Sequence, residues 1–181
     1  MLLEKLKKIP SDLILLISAA IGVIILLIIN IVVFEPLANS GFIYGILDFE
    51  FAWTEDQISI IFAEWGSTGV ALQTDGVYWD FLYIIGYSVP LFALILLFSR
   101  NLTGKIADIG IYISLTPLIA GIFDIVENVN LLIMLNDTTN FASIVPLIAS
   151  ITAFIKFSFL LVGAIFFLVV LVLSIIKRFK K

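Results

Sequence analysis

The segment best suited to chemistry is GIFDIVENVN, residues 121–130, where three polar side chains interrupt an almost wholly apolar run. Asp124, Glu127 and Asn128 are spaced i, i+3 and i+4, so a helix places them on one face. A carboxylate that faces lipid is costly, and such residues turn inward and find partners. Grouped carboxylates could bind a proton or a cation, contact a basic partner, or act as general acid or base. We therefore predict a buried polar site in this segment.

Polar residues elsewhere in the chain reach the depth of this motif when the basic residues serve as reference points. An α-helix rises about 1.5 Å per residue, so about twenty residues cross the roughly 30 Å hydrocarbon core. That separation links three basic residues to three polar ones: Arg100 to Asp80, Lys105 to Asp124, and Lys177 to Lys156. Asn30, about as far from Lys8, reaches the same depth. We predict that four helices each contribute a polar group to one layer.

Lys156 is the expected counter-ion of this layer. Nine of the ten Lys and Arg residues lie near the termini or in the loop of residues 100–105, whereas Lys156 lies opposite the carboxylates, which favours an ion pair. Tyr83 and Tyr87 follow Asp80 at i+3 and i+7 and share its helical face. Two interpretations remain open. One is a structural network that fixes helix register, and the other is a pocket or an ion route.

The composition of the chain is that of an integral membrane protein. Of its 181 residues, 62% are hydrophobic and 13% are charged, and the mean hydropathy is +1.21, well above the values of soluble domains. There are no cysteines and no histidines, which excludes disulfides, thiolate or imidazole metal ligands and cysteine nucleophiles. We expect no metal, no cofactor and no nucleic-acid partner.

Hydrophobic runs long enough to cross a bilayer occur four times. The sequence thus predicts an all-α, four-helix membrane bundle in a single domain, residues 1–181, with spans at about residues 12–34, 78–99, 106–134 and 144–176. Pro117 lies inside the third span and should kink it. The positive charges gather at both termini and in the loop between the second and third spans. The positive-inside rule then places both termini in the cytoplasm of a multi-pass plasma-membrane protein.

Residues 35–77 form the one long connection, an acidic segment without Lys or Arg that we expect to cap the outer side. Within it, Thr54 begins a capping box and Gly66 is a natural helix stop. Between them Ile58, Phe62 and Trp65 share one apolar face. This amphipathic helix either packs on the protein's own outer face or acts as a mobile interfacial lid.

Two motifs, WDFLYIIGYS at residues 79–88 and FDIVEN at 123–128, resemble a family of small prokaryotic four-helix membrane proteins. The segment WTEDQISIIFAEWGSTG, residues 53–69, is similar to the same family's stretch between the first two spans. The resemblance implies the four-helix architecture and the importance of the acidic and amide positions already named, but no chemistry. A looser likeness exists to the sterol-isomerase and sigma-2-like membrane fold. The histidine of those isomerases is absent from this chain, which argues against isomerase activity.

Three classes of function fit these features. The first is a binding or accessory protein whose outer-leaflet polar pocket takes a lipid, a small amphiphile or a partner subunit. The second is a small lipid-directed enzyme with Glu127 or Asp124 as the acid–base group. The third is a proton- or cation-coupled transporter. We expect membrane lipids as partners, and assembly into a homo-oligomer or a larger membrane complex is also open. The expected pocket is lined by Asp80, Tyr83, Asp124, Glu127 and Lys156, and roofed by Phe62 or Trp65.

Overall fold

The computed structural model describes residues 2–179, which form eight α-helices and one π-helical turn. The α-helices are α1 (Leu2–Leu6), α2 (Asp12–Ile29), α3 (Glu35–Ala38), α4 (Ile46–Glu50), α5 (Glu55–Arg100), α6 (Lys105–Ile113), α7 (Thr116–Asn136) and α8 (Ile144–Phe179). The prediction of an all-helical protein is confirmed over this range.

Four helical segments are long and apolar enough to cross a membrane, as the hydrophobic runs predict. Spans 1, 3 and 4 are Asp12–Ala38, Lys105–Asn136 and Ile144–Phe179, and span 2 is the part of Glu55–Arg100 that follows residue 66. Span 1 packs mainly against span 2, whereas spans 2, 3 and 4 pack against one another. The described parts of both termini lie at one end, the basic end, where Arg100 bonds to the carbonyls of Leu6 and Pro10. Residues 39–66 lie at the other end, the cap end.

Span 1 is longer than predicted, because the helix does not stop at the Glu35-Pro36 pair. Residues Asn30–Phe34 form a π-helical turn, in which the N–H of Glu35 donates to the carbonyl of Asn30. The wider turn shifts the hydrogen-bond register just before Pro36, which has no N–H to donate. Pro36 then lies in the first turn of α3, where a proline is tolerated. The helix therefore continues to Ala38.

Span 2 and the amphipathic helix of the cap share one element, α5, which bends at Gly66. Gly66 has φ 56° and ψ −171°, a conformation that glycine adopts without steric cost, so the predicted helix stop is a sharp kink. Residues 67–77, which we assigned to the cap, are instead helical and extend span 2. Their glycines are packing positions: a side chain at Gly69 would meet Phe42, and one at Gly76 would meet Leu37.

Span 3 is broken where its proline predicts. α6 ends at Ile113 and α7 begins at Thr116, with Pro117 in its first turn. Span 4 meets this break through Gly163, where an added Cβ would lie 3.0 Å from Thr116 Oγ1 and 3.2 Å from Pro117 Cγ. Close helix approach at a glycine is a common packing mode in membranes.

The apolar face of the cap helix is packed on the bundle. Ile58, Phe62 and Trp65 are buried together with Phe49 of α4 and with apolar residues of spans 3 and 4, among them Leu131, Met134, Val145 and Ala149. The indole N–H of Trp65 donates to the carbonyl of Tyr44 over 2.8 Å. This agrees with the first interpretation of the helix, an element packed on the protein's own surface. The expected lid residues belong to a buried apolar core.

Candidate functional site

One ammonium group lies among three carboxylates near the cap end. Lys156 Nζ is 2.8 Å from Glu127 Oε1, 2.9 Å from Asp124 Oδ1 and 3.4 Å from Glu50 Oε1. The four side chains are buried: Glu127 is 0% exposed and Glu50, the most accessible, is 7% exposed. We call these four residues the ion cluster.

Hydroxyl and amide groups extend this cluster across the bundle to span 1. The Tyr87 hydroxyl donates to Asp124 Oδ2 over 2.6 Å, so both oxygens of Asp124 have donors. Tyr83 lies beside Tyr87, with ring centroids 5.9 Å apart, and accepts a hydrogen bond of 3.2 Å from Asn30 Nδ2. Four spans thus contribute to one polar layer, as the depth argument predicts.

Asp80 joins the layer through an amide. Asn128 Nδ2 donates to Asp80 Oδ2 over 2.7 Å, which links spans 2 and 3. Asp80 is half-buried, and within the described residues it has no ion pair with Lys156. Of the three expected carboxylates, Asp124 and Glu127 therefore lie in the ion cluster, whereas Asp80 lies at the rim of the layer.

The spacing of span 3 explains why these groups meet. Asp124, Glu127 and Asn128 share one face of α7, and that face is buried between spans 2 and 4. On span 4 the stem of Lys156 continues a face of small residues, Ala149 and Ala153, which lets the two helices approach. Lys156 Nζ also lies 4.9 Å from the centroid of the Phe157 ring, a favourable position for a cation.

Glu50 is the member of the site that sequence reasoning missed. It lies in the cap, at the end of α4, and its carboxylate contacts Lys156. The backbone around it is fastened to span 4 by one hydroxyl: Ser150 Oγ donates to the carbonyl of Glu50 over 2.8 Å and accepts from the N–H of Trp53 over 3.0 Å. The one signal in the sequence is the position of Glu50 between Phe49 and Phe51, an acid flanked by residues that tend to be buried.

Two carboxylate oxygens of the ion cluster have no hydrogen-bond partner among residues 2–179. They are Glu50 Oε2 and Glu127 Oε2, both removed from solvent. A buried acceptor without a donor is costly. Burial raises the pKa of Glu50, the nearby Lys156 ammonium opposes that shift, and the Asp124 carboxylate adds to it. The site therefore favours the neutral form of a carboxyl group that would be ionised in water.

No family model matches this chain, and neither curated proteins nor solved structures gave a match. The resemblance to the small four-helix membrane family thus stays a prediction.

All eight predicted network residues come together in the polar layer, but mainly as direct side-chain pairs. The roofed pocket that we expected does not describe this arrangement, because Phe62 and Trp65 fill an apolar core next to the layer. Two surface cavities of about 450 and 480 Å³ border the cap helix, and neither is lined by a residue of the layer. Within residues 2–179 no group of acidic side chains is arranged to hold a metal ion. A role of the layer in ligand binding stays a prediction.

Proposed function

We propose that this chain is a membrane-embedded binding or accessory protein of the plasma membrane. In this proposal both termini face the cytoplasm and the cap faces outwards. The polar layer receives the head group of a lipid or small amphiphile from the outer leaflet. The head group carries hydrogen-bond donors or a positive charge, since the layer has more acceptors and more negative charge than its own groups balance.

The position of Asp80 carries this proposal. Asp80 is half-buried, and among the described residues its carboxyl group accepts one hydrogen bond, from Asn128, which leaves acceptor capacity at the rim of the layer. Tyr83 and Asn30 are half-buried beside it, so polar groups reach the surface where spans 1 and 2 meet. Intramembrane carboxylates at an accessible edge are costly unless they serve a ligand or a partner.

The surface next to this rim suits an acyl chain. Span 1 exposes large apolar side chains at the same depth, with Ile31 62% and Val32 66% exposed. An amphiphile can therefore place its tail along span 1 while its head reaches Asp80. A pocket with a few polar groups and an apolar border is the usual form of such sites.

Transport and catalysis lack a comparable observation. No acidic or basic side chain lies between Tyr87 and Arg100 on span 2, or between Lys156 and Lys177 on span 4. A proton relay would have no acidic or basic group to continue on along these helices. An enzymatic role for Glu127 or Asp124 would need a substrate to reach side chains that are almost fully buried.

The proposal is tested by amphiphile retention in Asp80→Asn. Wild-type protein is reconstituted in nanodiscs of phosphatidylethanolamine and phosphatidylglycerol, extracted into mild detergent and weighed by native mass spectrometry. We expect wild type to retain phosphatidylethanolamine, whose ammonium matches the acidic rim, and Asp80→Asn to lose most of it. The matched control is Asp75→Asn, an exposed acid on the same helix. Equal retention by Asp80→Asn and wild type, or no retained lipid in either, would overturn the proposal.

A further inference from the structure

We infer that Glu50 and Glu127 hold one proton between them at neutral pH, so that the pair is a proton-binding site joining the cap to the spans. The inference concerns the buried pair and not the rim at Asp80. It holds whether or not an amphiphile binds there.

The geometry of the two carboxyl groups supports it. Each uses Oε1 to contact the same ammonium, Lys156 Nζ, at 3.4 Å for Glu50 and 2.8 Å for Glu127. Each has a buried Oε2 that has no donor among the described residues. Because both carboxyl groups contact one ammonium, they are neighbours in the site. A proton on either group turns an unsatisfied acceptor into a hydrogen-bond donor for a neighbouring carboxylate.

The charge balance of the cluster leads to the same conclusion. Ionised carboxylates at Glu50, Asp124 and Glu127 around one ammonium would leave two uncompensated negative charges in a buried site. Asp80, on span 2, adds a further negative charge nearby when it is ionised. Two like charges that share a site cannot both ionise easily, and one carboxyl group keeps its proton.

Asp124 differs from the two glutamates in its hydrogen bonds. Its two oxygens accept hydrogen bonds from Lys156 and from the Tyr87 hydroxyl, so neither oxygen lacks a donor. Among the described residues, Glu50 and Glu127 have no such second donor. We therefore assign the proton to the pair of glutamates, where it supplies a missing donor.

The pair also connects two parts of the structure. Glu50 belongs to the cap, whereas Glu127 and Lys156 belong to spans 3 and 4. Loss of the shared proton would place a second negative charge at the contact between cap and bundle. Like charges at a buried contact repel each other, so the docked cap is expected to weaken when the proton leaves.

Infrared difference spectroscopy tests the bound proton directly. We expect wild type in detergent at neutral pH to show the carbonyl stretch of a protonated carboxylic acid, shifted by exchange into D₂O. The band should disappear in Glu50→Gln and in Glu127→Gln, since the introduced amide can donate to the remaining carboxylate. Glu55→Gln, which changes an exposed acid of the cap, should keep it. A missing band in wild type, or a band unchanged by both pair variants, would overturn the inference.

The pH dependence of thermal stability gives a second readout. The native pair binds a proton that free glutamates release near their ordinary pKa. The free energy of unfolding of wild type should therefore fall as pH rises above that range. In Glu50→Gln the slope of this fall should be smaller by the contribution of about one proton. Glu55→Gln should keep the wild-type slope. Equal slopes in all three proteins would overturn the inference. A melting temperature that rises with Na⁺ concentration but not with proton concentration would also overturn it, because the stabilising cation would then not be a proton.

Discussion

At the scale of residues, a single ammonium group serves three carboxylates in a site that water barely reaches. Lys156 contacts all three within 3.4 Å. Ion pairs of this kind contribute little net stability relative to an apolar core, but removing one partner leaves an uncompensated charge. A substitution that removes Lys156 therefore leaves buried negative charge without a counter-ion.

Lys156→Met is expected to lower the free energy of unfolding by about 3–5 kcal/mol, because it leaves buried carboxylates without their counter-ion. Adding Glu127→Gln should recover part of that loss, since it removes one of the stranded acids. Denaturant unfolding in detergent micelles measures each variant, and the double-mutant cycle gives the coupling. Lys177→Met, at an exposed lysine of the same helix, should have little effect. Strictly additive losses would show that Lys156 and Glu127 do not interact.

The members of the layer on the spans were predictable because a helix has a fixed rise, so the basic residues set the depth of Asp80, Asp124 and Lys156. Glu50 was not predictable by this means. It lies in a connection whose path depends on tertiary packing, above all on the burial of Phe49 in the apolar core. The paired contacts that replace the expected pocket depend on rotamers, which the spacing of residues does not determine.

At the scale of elements, the cap is fastened to span 4 by a serine clamp. Ser150 accepts from the Trp53 N–H and donates to the Glu50 carbonyl, so one hydroxyl holds both ends of the turn between α4 and the cap helix. Trp53 has φ 62°, a strained value for a residue with a side chain, and this clamp helps to hold it.

Ser150→Ala should loosen the cap while the spans stay folded. It leaves the Trp53 N–H without its acceptor and the backbone carbonyl of Glu50 without its donor. We expect the cap to lose about 1–3 kcal/mol of stability. Hydrogen–deuterium exchange should become faster across residues 46–66 and stay unchanged in spans 2 and 3. Ser158→Ala is the matched control, because that exposed hydroxyl bonds only within its own helix among the described contacts. Unchanged exchange in the cap of Ser150→Ala would contradict the role of the clamp.

The elements themselves were predicted with uneven success, for physical reasons. The break at Pro117 and the kink at Gly66 follow from the backbone preferences of those two residues. The helix over residues 67–77 was missed because Gly69 and Gly76 weaken helix propensity locally, and only tertiary contacts with Phe42 and Leu37 account for their presence. Pro36 failed to end span 1 because a π-helical turn precedes it.

At the scale of the whole molecule, charge is divided between the two ends of the bundle. Lys7, Arg100 and Lys177 lie together at the basic end, where Lys177 bonds to the carbonyl of Asn101. The cap at the other end, residues 39–66, has acidic side chains and no Lys or Arg. This division is the basis for placing the cap outside the cell.

Cysteine labelling in intact cells tests that orientation, and the chain has no native cysteine to interfere. Ser67→Cys, at the exposed kink of α5, should react with an impermeant thiol reagent added outside. Thr103→Cys, in the exposed loop at the basic end, should react only after the membrane is permeabilised. Labelling of Thr103→Cys from outside, with Ser67→Cys protected, would reverse the proposed topology.

The close packing of spans 3 and 4 has a consequence for biosynthesis. The two acids and the base that pair with one another lie on consecutive spans, joined by the short connection of residues 137–143. A ribosome delivers the counter-ion directly after the charges that require it, and a helical hairpin can then enter lipid with its polar groups already turned towards each other. These two ion pairs need neither span 1 nor span 2. We therefore expect the hairpin to insert as a unit, onto which the earlier spans and the cap assemble.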